Sequence, residues 1–239
     1  MSIFGRLAEI LVEGATNALS ATIERVRTVF EGDPETRARV AFSVAMIALS
    51  AKMAKADGIV TPDEVEAFQQ IFEIPDDEAP RVARLYNLAK QDTAGYQAYA
   101  RQLAGLCEGE ASGCTAHVDI LDGLFHIAKA DGVLHEKELE FLTDIAVIFG
   151  IDDRQFETIK ARHVEGGAGN AWSVLGIAPD TSHQAARAAY LQLVRQNHPD
   201  QMVARGVPPE FVRIADERLA AINSAWESVE PILKREAHT

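Results

Sequence analysis

Apolar residues recur along most of the chain at the three- and four-residue spacing of amphipathic helices, and strand-like alternation is scarce. This spacing predicts an all-α fold. The stretch 37–56 is apolar on most sides, which predicts a buried central helix. Further helices are predicted at 61–73, 79–90, 94–106, 115–129, 135–149 and 152–162.

The chain contains an internal repeat. Residues 54–60 read AKADGIV and residues 128–134 read AKADGVL, and acidic residues follow both copies at matching positions. Gly58 and Gly132 can adopt the left-handed conformation that ends a helix. The repeat therefore predicts a duplicated helical hairpin, packed as a pseudo-symmetric bundle.

Four carboxylates of this repeat form a candidate metal site: Asp57, Glu64, Asp131 and Glu138. Pseudo-symmetry could bring them together, and carboxylates attract hard cations such as calcium or magnesium. The two loops nevertheless lack the alternating oxygen ligands of an EF-hand. The preferred interpretation is structural: the aspartates stabilise helix-ending turns and the glutamates favour helix N-termini. Under that interpretation no cofactor is required.

Residues 1–34 predict an amphipathic N-terminal helix. Its longest uncharged run, 14–23, is about half the length that a membrane span requires, and signal-peptide features are missing. We expect this helix to pack on its own domain. Contact with a membrane surface and pairing of two copies are the alternatives. The expected location is the cytoplasm, with a peripheral position at the inner membrane as an alternative.

A glycine-rich stretch divides the chain. Residues 163–169 read HVEGGAG and predict a linker between a helical domain at 35–162 and a smaller unit at 170–239. Asn170 is expected to cap a short helix at the start of the smaller unit. The acidic excess lies almost wholly before residue 170, which indicates two units with different partners.

The smaller unit ends in two predicted helices, 183–197 and about 209–229, which meet at a polar tip. The first helix stops at His198-Pro199-Asp200, because proline disfavours helical geometry in the residue before it and has no backbone N–H to donate. His198 and Asp200 are therefore expected in a loop, away from any packed face.

The stretches NAWSVLGIAPDTS, AAYLQLVRQNHPD and LAAINSAWESV resemble the J domain of the DnaJ family. The segment QMVARGVPPEFVRIA further resembles the DjlA branch, in which a longer loop follows the tripeptide. The resemblance implies a three-helix J domain that drives ATP hydrolysis by a DnaK-type chaperone. It also implies an activating loop and contacts along the preceding helix: His198, Pro199, Asp200, Tyr190, Arg187 and Arg195.

This sequence departs from the J-domain pattern in one respect. The second helix of a J domain is usually rich in Lys and Arg, which face acidic surface on the chaperone. Here other residues occupy the expected basic positions: Ala188, Leu191, Gln192, Gln196 and Gln201. We therefore expect weak electrostatic steering. A second interpretation of His198 is that it only caps a structural turn.

The doubled KADG pattern resembles the TerB domain, an all-helical fold of tellurite-resistance proteins that also precedes the J domain in DjlA-type proteins. The resemblance covers residues 35–162. TerB domains are suspected of binding metal, so the resemblance points to the same four carboxylates as the repeat.

The composition and the absence of certain sequence motifs argue against several classes of function. A net charge of −13 argues against a nucleic-acid binder that neutralises phosphates. No nucleotide-binding loop or nucleophile motif is present, so we expect a non-enzymatic protein. Cys107 and Cys114 match no zinc or redox spacing and are expected to be reduced thiols.

The sequence thus favours a co-chaperone whose TerB-like domain serves targeting or regulation. The alternative is an acidic metal-binding or stress-response scaffold with a weak or vestigial J domain. Client proteins, if any, would be recruited by the bundle or the first helix, because the sequence shows neither a Gly/Phe-rich segment nor zinc-ribbon repeats.

Overall fold

The computed structural model describes residues 34–56, 79–91, 95–105, 115–130, 132–164, 168–204, 207–208 and 211–236. These residues form ten α-helices and no strand, which confirms the all-α prediction. The helices are α1 (Pro34–Ala56), α2 (Ala79–Gln91), α3 (Tyr96–Gly105), α4 (Thr115–Ala128), α5 (Glu136–Ile148), α6 (Asp153–His163), α7 (Ala168–Leu175), α8 (His183–Gln196), α9 (Pro199–Ala204) and α10 (Val212–Glu236).

The predicted central helix is confirmed as α1. Apart from Ala41, every side chain from Val40 to Ala54 is buried, and α2, α3, α4 and α5 pack around the helix. Even Lys52 is only 5% exposed, with its Nζ 4.8 Å from the centroid of the Tyr99 ring. A helix that is apolar on all sides is stable only when it is surrounded, and α1 meets that condition.

The second copy of the repeat forms the predicted hairpin of α4 and α5. Gly132 has a φ of 86°, and its backbone N donates to the carbonyl of Lys129 at 2.8 Å. This left-handed residue closes the turn after α4. Glu138 lies in the first turn of α5, where its Oε2 accepts from the backbone N of His135 at 2.9 Å. The carboxylate therefore caps the N-terminus of α5.

Some predicted features lie outside the described residues. They are the N-terminal helix, the helix at 61–73, both cysteines and three of the four candidate metal ligands: residues 1–33, Asp57, Glu64, Cys107, Cys114 and Asp131. Among the helices that the structure does describe, none combines the length and the apolar character needed to cross a membrane.

At the C-terminal end, α7, α8 and α10 pack on one another around a second hydrophobic cluster. The cluster includes Trp172, Leu175, Ala186, Ile222 and Trp226. These three helices fall where the sequence predicts them, although α10 ends later than expected. Together with α9 they form the C-terminal module, residues 168–236.

The core of the bundle also receives residues from this module. Five apolar residues that follow the tripeptide are buried in it: Met202, Val207, Phe211, Ile214 and Ala215. The ring of Phe211 meets that of Phe42 in α1 edge-on, with 4.7 Å between the centroids. The predicted boundary at 163–169 therefore does not separate two independent cores.

The expected N-cap role of Asn170 is wrong. Asn170 is the third residue of α7, and its Nδ2 donates to the backbone oxygens of Ala161 at 2.7 Å and Val164 at 2.9 Å. The last carbonyls of a helix have no intrahelical partner, so Asn170 satisfies two acceptors at the end of α6. The side chain of Asn170 in α7 is thereby bonded to the C-terminal end of α6.

Candidate functional site

The tripeptide lies at the tip between α8 and α10. His198 is outside any helix, but Pro199 and Asp200 form the first turn of α9, which corrects the predicted loop. Proline is favoured at the first position of a helix, because its φ is already helical and its missing N–H would have no acceptor there. The residue that ends α8 therefore also starts α9.

His198 caps this short helix. Its Nδ1 accepts a hydrogen bond from the backbone N of Asp200 at 3.2 Å, so the neutral ring carries its proton on Nε2. The side chains of His198 and Asp200 are 52% and 88% exposed. His198 therefore caps α9 while its imidazole stays exposed to a partner.

An exposed strip runs along α8 toward the tip. Arg187, Leu191 and Arg195 follow one another at intervals of four residues and are all exposed, with Leu191 at 40%. Residues at this spacing share one face of a helix. The strip therefore places two guanidinium groups and an apolar side chain on the face that leads to His198.

Tyr190, the remaining predicted contact, is half-buried between α8 and α10. Its ring stacks on Trp226 at 4.9 Å between centroids, with 9° between the planes. Its hydroxyl donates to Oδ1 of Asn223 at 3.1 Å. Tyr190 therefore holds the two helices together, and only part of its ring reaches the surface.

A different face of α8 borders a cleft of about 550 Å³ that also involves α4, α6 and α10. Gln192 and Gln196 line the cleft from α8, and three arginines line the other walls: Arg154, Arg162 and Arg218. Two carboxylates, Asp119 and Asp152, line the cleft as well. The two glutamines therefore border a cleft that contains charges of both signs.

A buried ion cluster, not predicted from the sequence, lies beside this cleft. Nη1 of Arg218 donates to Oδ1 of Asp119 at 2.7 Å, and its Nε donates to Oδ2 of Asp122 at 2.9 Å. Asp122 Oδ1 also accepts from Nη1 of Arg162 at 3.1 Å and lies 3.2 Å from Nε2 of His163. The cluster joins α10 to α4 and α6.

Burial and pairing with opposite charges shift the pKa values of these groups in opposite directions. Burial alone would raise the pKa of Asp122, but Arg218 and Arg162 outweigh it and hold that pKa far below its usual range. Burial lowers the pKa of Arg162 to about 10, against the opposing effect of Asp122. Burial also lowers the pKa of His163, despite the neighbouring carboxylate. At neutral pH the cluster therefore contains charged arginines, a charged Asp122 and a neutral His163.

The sequence does contain a signal for this cluster. Asp119 and Asp122 are three residues apart in α4, a largely apolar helix, and both are buried. Two carboxylates on a buried face require cationic partners. The identity of those partners depends on tertiary structure, because Arg218 is 99 positions away from Asp119.

The predicted metal site stays a prediction. Of its four carboxylates only Glu138 is described, and that side chain caps α5. Within the described part of the chain, no group of three or more His, Cys, Asp or Glu side chains is arranged to hold a metal ion.

Comparison with known proteins defines the class. Residues 43–161, about half of the chain, match the family described as tellurite resistance protein TerB. Residues 43–161 therefore correspond to a TerB domain, as the doubled KADG pattern suggests.

Over a longer span the chain is similar to proteins named co-chaperone protein DjlA. The relative from Photobacterium profundum is 27% identical over 218 residues, which cover 79% of this chain and 76% of the relative. The relative from Escherichia coli (strain K12) is 27% identical over 204 residues, or 74% of each chain. The relative from Coxiella burnetii is 26% identical over 200 residues, covering 75% and 73%. No solved structure matches the chain significantly. The resemblance to DjlA-type proteins is thus confirmed.

Proposed function

We propose that this protein is a co-chaperone that stimulates ATP hydrolysis by a DnaK-type chaperone through His198, Pro199 and Asp200. The main support for the proposal is the geometry of the tip. The exposed His198 and Asp200 side chains stand at the end of a two-helix arm, which Tyr190 and Trp226 hold together. The similarity to proteins named co-chaperone DjlA supports the same function.

In this proposal the exposed strip and the tip act as one docking surface. The Asp200 carboxylate pairs with an arginine of the chaperone, a charge-assisted bond worth about 2 kcal/mol when it is shielded from water. Arg187 and Arg195 face acidic groups of the chaperone. Because the strip holds only two cations, association depends weakly on salt.

The TerB bundle has a separate role, targeting or regulation, and the protein performs no chemistry of its own. The proposed location is the cytoplasm. Contact with the inner membrane and pairing of two copies, if they occur, are assigned to the first 34 residues.

The test measures the ATPase rate of a DnaK-type chaperone with the wild-type chain, His198→Gln and His198→Asn. Asparagine is among the best N-cap residues, so His198→Asn keeps the cap of α9 while removing the imidazole. Both variants are expected to leave the chaperone at its basal rate, with unchanged helix content by circular dichroism.

The His198→Asn variant separates the two interpretations of His198. Stimulation at the wild-type level by this variant would show that capping is the whole role of His198, and the activating role would be wrong. A wild-type chain that fails to stimulate the chaperone would contradict the proposed function as a whole.

A further inference from the structure

Arg218 bonds to two parts of the molecule at once. Its Nη1 donates to Oδ1 of Asp119 in the bundle at 2.7 Å and to Oδ1 of Asn197 at 3.0 Å. Its Nε donates to Asp122, so the guanidinium is held against α4 by two carboxylates. The side chains of Arg218 and of both aspartates are 1–2% exposed. Because the guanidinium is planar and its N–H groups point in fixed directions, bonds to two carboxylates define its orientation.

Asn197 is the residue directly before His198, and its amide is fixed at both ends. Its Oδ1 accepts from Arg218, while its Nδ2 donates to the carbonyl of Leu193 at 2.7 Å. The last turn of α8 is therefore connected through one side chain to a guanidinium that belongs to the interface with the bundle.

The chain is also anchored on the other side of the tripeptide. Met202, two residues after Asp200, is fully buried in the core of the bundle. The carbonyl of His198 accepts from the backbone N of Gln201 at 2.9 Å and of Met202 at 3.2 Å. The exposed tip thus lies between two points that are both attached to the bundle.

We propose that Arg218 is a positioning residue through which the TerB bundle orders the tripeptide for its partner. Arg218 does not touch the chaperone. It holds Asn197, and Asn197 sets the direction in which His198, Pro199 and Asp200 leave α8. This inference rests on the proposed function of the tripeptide and adds to it a role for the bundle.

Ordering of the tip affects the affinity for the chaperone more than the maximal ATPase rate. A tip that is ordered before docking loses little conformational entropy when the chaperone binds, whereas a mobile tip loses more. Without the anchor, the same side chains still reach the chaperone at high concentration. We therefore expect the half-saturating concentration of co-chaperone to rise and the ATPase rate at saturation to change little.

The experiment uses the full chain with Asn197→Ala, Arg218→Lys and the double variant. Each single variant is expected to raise the half-saturating concentration about five-fold. The double variant is expected to match Asn197→Ala, which already removes the bond to Arg218 together with the bond to Leu193. Asn197→Ala leaves the bonds of Arg218 to α4 in place. This variant therefore tests the link between Arg218 and Asn197 even if Arg218→Lys fails to fold.

The matched control is Glu217→Ala. Glu217 is the neighbour of Arg218 and joins the same two helices, with its Oε2 2.6 Å from Nδ1 of His126 in α4. It has no bond to Asn197 among those of the described residues, so its removal weakens the interface without releasing the tip. The control is expected to keep the wild-type half-saturating concentration.

A readout without the chaperone separates this inference from the proposed function. ¹⁵N relaxation of His198 and Asp200 is expected to show lower order parameters in Asn197→Ala and Arg218→Lys, but not in Glu217→Ala. Unchanged order parameters, or an equal loss in the control, would overturn the positioning role while the effect of His198→Gln stands. Lower order parameters in a chain whose wild type stimulates no chaperone would instead leave the anchor in place and refute the proposed function.

Discussion

His163 occupies an unusual place for a histidine. Its ring stacks on Phe125 with 11° between the planes, and its Nε2 lies 3.2 Å from Oδ1 of Asp122. Asp122 favours the protonated ring, whereas burial, Arg162 and Lys129 disfavour it, and burial has the largest effect. The pKa of His163 is therefore lowered in the folded protein.

This lowered pKa predicts a loss of stability in mild acid. The unfolded chain protonates His163 near its ordinary pKa of about 6.5, whereas the folded chain does so only at lower pH. The contribution of the neutral ring is fully present above that value and is lost as the pH falls toward the lowered pKa. We expect the melting temperature to drop between pH 7.5 and pH 5.5, and to drop less in His163→Gln. Equal drops in both chains would show that His163 is not the group responsible.

Single residues differ in how well their roles can be predicted from sequence. The left-handed Gly132 was predictable because its role depends on the turn alone. The role of Asn170 was not, because the same amide can cap the start of one helix or the end of another, and tertiary packing decides which. The stop at His198 was predictable from Pro199, but the new helix beginning at that proline was not.

Helix α4 packs closely against two other helices at Gly123. A Cβ at this position would lie 2.7 Å from Cε of Met46 in α1 and 3.1 Å from Cδ1 of Ile214 in α10. Both atoms are the ends of side chains, so a methyl group could be absorbed by small shifts, whereas a larger group would separate three helices.

Gly123→Val is therefore expected to lower the free energy of unfolding by about 1–3 kcal/mol, the usual range for an overpacked core. The matched control is Gly105→Val at the end of α3, where a Cβ would meet no atom within 4 Å. Urea unfolding followed by circular dichroism measures both changes. If the two variants were equally destabilised, overpacking at Gly123 would not explain the loss.

Helix prediction was most successful where the apolar pattern is continuous, as in α1, and less so at the end of α10. The sequence favoured an end near residue 229, before Pro231, but α10 continues through Pro231 to Glu236. Proline removes one hydrogen bond, to the carbonyl of Glu227, which is an exposed residue where water can substitute. The buried Leu233 then extends the second hydrophobic cluster and stabilises the added turn.

At the scale of the whole molecule, the bundle and the C-terminal module share a core. The glycine-rich stretch at 163–169 suggested two separable units, and the near-neutral charge of the second agreed with that view. The sequence did contain one indication of a shared core, the apolar residues in the segment after the tripeptide, such as Met202 and Phe211. Which surface they cover could not be inferred without the positions of α1 and α4.

The shared core predicts that the C-terminal module depends on the bundle. A fragment of residues 168–239 would expose five side chains that are buried in the full chain: Met202, Val207, Phe211, Ile214 and Ala215. We expect this fragment to melt at a lower temperature than the full chain and to bind the hydrophobic dye ANS. A fragment that unfolds cooperatively at the temperature of the full chain, without binding dye, would show that the contact contributes little stability.

The bond between Asp119 and Arg218 spans 99 positions and thereby sets an order of events during translation. Helix α4 leaves the ribosome well before α10 is made. Asp122 can pair with Arg162 as soon as α6 has formed, but Asp119 waits for Arg218. A buried charge that lacks a partner is destabilising by about 3–5 kcal/mol. The nascent bundle therefore reaches its full stability only after α10 has been synthesised and Arg218 has joined the cluster.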